Sequence, residues 1–95
     1  TNTDDAELGN DSGVTQSANG AIVIVNQDGQ TNISTVNQSG ALATVNVEQD
    51  GEDNDSFVDQ TGSGATIGVK QNGTSNDSDV TQSASLASVT VDQDG

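Results

Sequence analysis

Hydrophobic and polar residues alternate at every second position along this chain, in short runs that recur at a fixed spacing. In the first run Val14 lies between Ser12 and Gln16, and in the second run Val23 and Val25 precede Gln27. Residues two apart point to the same face of a β-strand, so each run predicts a strand with one inward face. A helix is disfavoured, because Val, Thr, Ser, Asn and Gly dominate and no apolar stripe follows the helical spacing.

The runs fall into register when the sequence is shifted by 22 residues, without insertions, over four copies at 10–31, 32–53, 54–75 and 76–95. A weaker period of 11 residues divides each copy into two similar halves. Connections such as 17–20 and 28–31 are rich in Gly, Asn, Asp and Ser, which predicts tight turns. A fixed period indicates a repeat architecture. We therefore predict an all-β fold, a β-solenoid of four stacked strand–turn–strand coils with cross-β, amyloid-like stacking.

Columns of like residues define the predicted interior, because coils stacked about 4.8 Å apart place equivalent side chains over one another. The predicted core consists of Val14, Val23, Val25, Val36, Val45, Val47, Val58, Ile67, Val69, Val80, Val89 and Val91. The predicted ladder and assembly residues are Asn10, Gln16, Gln27, Asn32, Gln38, Gln49, Asn54, Gln60, Gln71, Asn76, Gln82 and Gln93. Amide side chains both donate and accept, so stacked Gln residues can bond to the coils above and below, and inward Asn and Ser can do likewise.

Composition adds that this interior is unusually polar. Only 28% of the residues are hydrophobic and Phe57 is the single aromatic residue, a composition that on its own favours disorder. Strict columns favour a solenoid instead. With so little apolar burial, an isolated four-coil unit is expected to be marginal and to gain stability as coils are added. The last copy keeps the full pattern, which leaves an unprotected strand edge. We therefore expect the chain to be its own partner in a head-to-tail filament.

Charge and residue types exclude several functions. Fifteen acidic residues stand against Lys70 alone, for a net charge of -14, which disfavours nucleic acid and anionic membranes as partners. No apolar stretch is long enough for a membrane-spanning helix, so no membrane insertion is predicted. Without His or Cys the chain offers no nucleophile–base pair and no general acid–base pocket. We predict no enzymatic activity, no cofactor and no metal.

Residues 1–9 lie outside the repeat register, and they are interpreted as a flexible leader or a degenerate cap. The chain begins at Thr1 without an apolar leader, from which we expect a mature, processed product.

The spacing resembles the curlin repeat, Ser-x5-Gln-x4-Asn-x5-Gln. Asn10 and Gln16 are separated by five residues, Gln16 and Ala21 by four, and Ala21 and Gln27 by five. Asn replaces the family's Ser in every copy, and the family's Asn is replaced by Ala21, Ala43, Ala65 and Ala87. The resemblance implies a secreted functional amyloid, the subunit of a bacterial extracellular fibre in biofilm matrix. It also implies a nucleator and a secretion channel as partners.

Two other functions remain open: a soluble acidic solenoid that binds cations, mineral or ice, and a fragment of a longer repetitive adhesin. The acidic stretch 50–55 suggests calcium, but it has neither the EF-hand spacing nor the nonapeptide of calcium-binding β-rolls. Each copy opens with an N-glycosylation sequon whose Asn is predicted to point inward. The sequon at Asn72, which ends at Thr74 in a predicted turn, is the better candidate for a glycan.

Overall fold

The computed structural model describes residues 2–3 and 9–95, and these form nine strands and no helix. The strands are β1 (Asn2–Thr3), β2 (Asp11–Gln16), β3 (Ile22–Gln30), β4 (Ile33–Gln38), β5 (Thr44–Glu52), β6 (Asp55–Gln60), β7 (Thr66–Thr74), β8 (Asp77–Gln82) and β9 (Ser88–Asp94). Most of the predicted leader or cap at 1–9 lies outside the described residues. Its described part includes β1, which pairs in parallel with β3.

The strands form two parallel sheets, one in the order β1-β3-β5-β7-β9 and one in the order β2-β4-β6-β8. We call these sheet A and sheet B. Neighbouring strands pair with an offset of one repeat, so Val14 lies beside Val36 in sheet B and Val25 beside Val47 in sheet A. Each repeat therefore contributes one strand to each sheet and makes one coil. The predicted all-β solenoid of about four coils is confirmed.

Left-handed backbone conformations turn the chain at two points in each coil, eleven residues apart. The positions between the sheet B strand and the sheet A strand are Gly20, Leu42, Gly64 and Leu86, with φ between 58° and 71°. The positions after the sheet A strand are Gly9, Thr31, Asp53 and Ser75, with φ between 55° and 79°. The left-handed backbone conformation is energetically unfavourable for residues other than Gly, Asn and Asp. The corners are thus sites of local strain that the stacked coils hold in place.

One predicted turn is shorter than expected. The connection 28–31 was predicted as a four-residue turn, but β3 continues to Gln30 and its equivalents behave alike. Gly29 makes this possible, because a Cβ added there would lie 1.9 Å from the carbonyl oxygen of Gly51 in the next coil. The backbones of successive coils therefore approach too closely at this column for any residue but glycine.

The core lies between the two sheets. Nine of the core residues expected from the sequence are buried there, and Val14, Val89 and Val91 are partly buried and pack against them. These three lie in β2 and β9, which are edge strands with a paired neighbour on one side only. Ala43 and Ala65 are also buried, so the column that holds Asn in the curlin pattern is apolar and closely packed here.

Candidate assembly interface

The glutamine column of sheet B forms a continuous ladder of side-chain hydrogen bonds. Each Nε2 donates to the Oε1 of the equivalent glutamine one coil later. The distances are 2.9 Å for Gln16–Gln38, 2.9 Å for Gln38–Gln60 and 3.1 Å for Gln60–Gln82. Gln38, Gln60 and Gln82 are buried, whereas Gln16 in the first coil is exposed. The buried amides thus satisfy one another along the coil axis.

The glutamine column of sheet A makes a second ladder that also ties the two sheets together. The Nε2–Oε1 distances are 2.8 Å for Gln27–Gln49, 2.8 Å for Gln49–Gln71 and 2.9 Å for Gln71–Gln93. The same Nε2 donates across the core to a sheet B carbonyl, as from Gln49 to Ile33 at 2.8 Å and from Gln71 to Asp55 at 2.8 Å. Both amide hydrogens are therefore used, and the two sheets are fixed relative to each other.

The asparagine column bonds differently from what the sequence suggests. The side-chain amide of Asn32 bonds to backbone groups and not to the side-chain amides of the neighbouring asparagines; its Oδ1 accepts the backbone N–H of Asn54 at 3.1 Å. Its Nδ2 donates to the carbonyls of Asp28, at 3.0 Å, and Gly51, at 3.1 Å. The reason is the adjacent left-handed corner at Thr31, where the backbone ladder is interrupted and the asparagine amide takes the place of the missing partners. The column links successive coils through the backbone. Its members are Asn10, Asn32, Asn54 and Asn76.

Inward serines were expected to bond along the axis, and for two of them this is wrong. Ser34 and Ser56 are buried, and neither hydroxyl has a hydrogen-bond partner among the described residues. Equivalent atoms in adjacent strands are about 4.8 Å apart, too far for two oxygens to bond. A glutamine amide spans part of that distance with its own oxygen and nitrogen, and a hydroxyl does not.

The glutamine ladders have a direction, because every Nε2 donates toward the later coil. The ends of the ladders therefore differ. At the early end the buried Oε1 of Gln27 has no partner, and at the late end the buried Nε2 of Gln82 has none, among the described residues. An acceptor is free at one end of the stack and a donor at the other. The corresponding sheet edges carry β8 and β9 at the late end.

The outward faces are mixed and predominantly acidic. Lys70 lies in register between Glu48 and Asp92, so the single basic residue separates two carboxylates along its column. Elsewhere carboxylates face each other directly, as at Asp55 and Asp77. Over residues 9–95 no group of three or more potential ligands is placed to hold a metal ion. The ice-binding alternative requires a regular outward threonine array, and the outward columns do not contain one.

The N-glycosylation sequons differ in whether their asparagine side chain is buried or exposed. Asn10, Asn32 and Asn54 are buried, and their amides are used in the hydrogen bonds described above, so they have no room for a glycan. Asn72 is exposed, but it lies within β7 and not in the predicted turn.

The alternation of glycine and leucine at the turns between the sheets is not among the features predicted from the sequence. A Cβ added to Gly20 would lie 2.7 Å from Leu42 Cδ2, and one added to Gly64 would lie 2.8 Å from Leu86 Cδ2. Each leucine thus leans over the glycine of the preceding coil. Glycine and leucine alternate visibly in the sequence with a period of two coils. The 22-residue alignment alone does not show that each leucine contacts the glycine of the preceding coil.

The fold and its ladders define a class: a parallel β-solenoid whose coils are joined by stacked amide side chains. A family model, the curlin associated repeat, matches residues 43–73. This match supports the resemblance to curlin repeats that the sequence indicated. No curated protein and no solved structure matches the chain. The repeat and the fold point to a structural role. No helix long and apolar enough to span a membrane occurs in the part of the chain that the structure describes.

Proposed function

We propose that this chain is the structural subunit of an extracellular, curli-like amyloid fibre, and that copies polymerise head to tail by stacking coil upon coil. The observation that carries the proposal is the pair of unsatisfied ladder ends, the buried Gln27 Oε1 and the buried Gln82 Nε2. In a head-to-tail stack Gln82 donates to Gln16 of the next copy, and Gln93 donates to Gln27 of the next copy. Opposite ladder ends are complementary, whereas like ends place donor against donor or acceptor against acceptor.

The backbone supports the same direction of growth. The Oδ1 of each asparagine in the column accepts an N–H from the coil that follows, so Asn76 Oδ1 is placed to accept the N–H of Asn10 in the next copy. The edge of β8 pairs with β2 of that copy as in other coils, and the edge of β9 pairs with β3 after β1, which covers part of β3 in the single molecule, has moved away. Exposed parallel edges are templates for further strands.

The residues at the turns between the sheets are also compatible with head-to-tail stacking. Glycine and leucine alternate through Gly20, Leu42, Gly64 and Leu86, so the four coils contain two complete periods. The coil that follows Leu86 in a head-to-tail stack carries Gly20, and the alternation continues across the junction. A leucine therefore never stacks directly on a leucine.

The proposed extracellular location and the proposed partners are based on the resemblance to the curlin family. Curlin repeats belong to secreted fibre subunits, which supports an extracellular location in biofilm matrix. A nucleator and a secretion channel are proposed on the same ground. The cation-binding, mineral-binding and adhesin alternatives have no comparable support from a specific contact.

The test is polymerisation of the purified 95-residue chain in salt. We expect thioflavin-positive filaments with a diffraction reflection near 4.8 Å, the spacing between hydrogen-bonded strands. A species that stays monomeric by light scattering under these conditions contradicts the fibre proposal.

A pair of matched variants tests the ladder itself. The double change Gln16→Ala and Gln82→Ala removes both amides that meet at the junction, so filament growth should slow markedly. Thr15→Ala with Thr81→Ala alters the outward neighbours of the same residues and should leave growth nearly unchanged. Urea unfolding of the soluble protein checks that both variants remain folded. Equal growth rates for the two variants would remove the ladder from the mechanism.

A further inference from the structure

Two outward strand positions are occupied by glycine where the backbone has room for a side chain. They are Gly13 in β2 and Gly68 in β7, and a Cβ added at either would meet no atom within 4 Å. The missing side chain at Gly68 leaves a depression of about 260 Å³ on sheet A, bordered by Asn46, Lys70 and Thr90. Neither glycine has the positive φ that would explain it by backbone conformation. The two positions are therefore recesses in otherwise continuous outer faces.

Each recess lies back to back with a bulky apolar residue on the opposite sheet. The turn of the third coil connects Gln60 to Ala65; Phe57 precedes Gln60 by three residues and Gly68 follows Ala65 by three. The bond from Gln71 Nε2 to the carbonyl of Asp55 keeps the two strands aligned at their other ends. Phe57, which is 38% exposed, thus lies on sheet B directly behind the recess on sheet A.

The first coil repeats this relation with the two sheets exchanged. Gly13 precedes Gln16 by three residues, and Ile24 follows Ala21 by three, so the recess is on sheet B and the bulky residue on sheet A. The bond from Gln27 Nε2 to the carbonyl of Asp11 provides the same alignment. In this outward column, each face therefore carries one bulky apolar protrusion and one recess, two coils apart.

We propose that a second copy of this chain docks laterally, sheet B on sheet A, with the coils of the two copies at the same level. A translation along the sheet normal brings Phe57 of one copy over the Gly68 recess of the other. The same translation brings Gly13 over Ile24. This lateral contact goes beyond end-to-end growth and does not depend on it, because all four residues belong to a single molecule.

Charge complementarity supports the same arrangement. Asp55 lies two residues before Phe57, and Lys70 lies two residues after Gly68, on strands that run in opposite directions across the core. The translation that seats Phe57 therefore places Asp55 over Lys70, the one basic residue of the chain. In the fourth coil Asp77 comes over Asp92, which repels. Because each copy carries a net charge of -14, lateral docking is favoured by salt, which screens the repulsion between the two copies.

Protrusions and recesses also select the level at which the copies meet. An offset of two coils places Phe57 over Ile24, a contact between two protrusions. An offset of one coil places Phe57 over Asn46 or Thr90, where the face has no recess. Matching thus occurs at zero offset, which is how a pattern of steric mismatches specifies a register.

The experiment exchanges the protrusion and the recess. Gly68→Phe puts a ring opposite Phe57 and should weaken lateral association by about fivefold or more, because overpacked contacts cost at least that much. The double variant Phe57→Gly with Gly68→Phe exchanges the two and should restore association. A Cβ at position 68 meets no atom of the same molecule within 4 Å and points outward, so both variants are expected to fold, which circular dichroism checks.

Lateral association is read from the cross-section of the particles by small-angle scattering and electron microscopy in high salt, where each added copy, with its two sheets, thickens the particle by about 20 Å. Thickening of the native protein, its loss in Gly68→Phe and its recovery in the exchanged variant are the expected results. Native particles that stay one copy thick, or a Gly68→Phe variant that thickens like the native protein, overturn the proposal. End-to-end growth is read separately from particle length, so its failure is distinguishable from the failure of lateral docking.

Discussion

A glutamine at an inward position can bridge two coils, whereas a serine at the neighbouring inward position cannot. Gln38 and Gln60 are joined amide to amide at 2.9 Å, while the hydroxyls of Ser34 and Ser56 remain without partners among the described residues. The difference is one of reach across a spacing of about 4.8 Å. Residues of similar polarity therefore have different roles in this interior, and the glutamines hold the coils together.

At this scale we expect Gln60→Ala to destabilise the soluble protein strongly. Gln60 is fully buried, accepts from Gln38 and donates to Gln82, so its loss leaves two buried amide groups unpaired and a cavity beside them. Unpaired buried groups cost about 1–3 kcal/mol each. We expect the free energy of unfolding, measured in urea, to fall by about 2–5 kcal/mol. Asn72→Ala, at an exposed side chain, serves as the control and should change it by less than about 0.5 kcal/mol. Equal effects would contradict the importance of the ladder for stability.

The sequence revealed which residues form columns, but it did not reveal how each column bonds. The glutamine contacts follow directly from stacking like amides. The asparagine contacts depend on the left-handed corner at Thr31, because the amide of Asn32 completes the bonds that the corner leaves open. A residue type and a period cannot specify that geometry.

At the scale of elements, the turns rather than the strands contain the strain. Leu42 and Leu86 have φ of 58° and are 73% and 84% exposed, so each combines an unfavourable backbone conformation with little burial. Equivalent coils use Gly20 and Gly64 at the same place. The leucines are therefore not required by the turn itself.

We expect Leu42→Asn to stabilise the protein by about 0.5–1 kcal/mol. Asparagine tolerates the left-handed conformation better than leucine, and the small apolar contact with Gly20 is the only evident loss. Thermal or urea unfolding measures the change. Ile33→Asn is the matched control, since it makes a similar change at an exposed strand position without positive φ, and it should not stabilise. A loss of stability in Leu42→Asn as large as in the control would show that the corner is not strained.

At the scale of the whole molecule, charge opposes stacking. Carboxylates in register, such as Asp28 and Asp50, are about one strand spacing apart and repel by roughly 0.9 kcal/mol per exposed pair in water. With a net charge of -14, the same repulsion acts between copies. Lys70 reduces it in one column by separating Glu48 from Asp92.

We therefore expect the free energy of unfolding to rise with salt, most steeply between about 0.01 and 0.5 M, where the screening length becomes short. Lys70→Glu turns its column into three successive carboxylates and should lower stability at low salt. The difference in the free energy of unfolding between Lys70→Glu and the native protein should decrease as salt is added. A difference that persists unchanged in high salt would mean that Lys70 acts through packing and not through charge.

The sequence by itself determined the repeat, the two strands of each coil, the inward columns and the solenoid, because alternation and a 22-residue period without insertions leave few other structures. Tertiary structure decided what depends on neighbouring coils and on the opposite sheet. It showed that β3 continues through Gly29, that asparagine bonds to backbone, and that Gln71 bonds across the core to Asp55. The physical reason is that a sequence period fixes which residues stack along the axis, whereas contacts across the core and at the corners depend on distances and dihedral angles that only the folded backbone supplies.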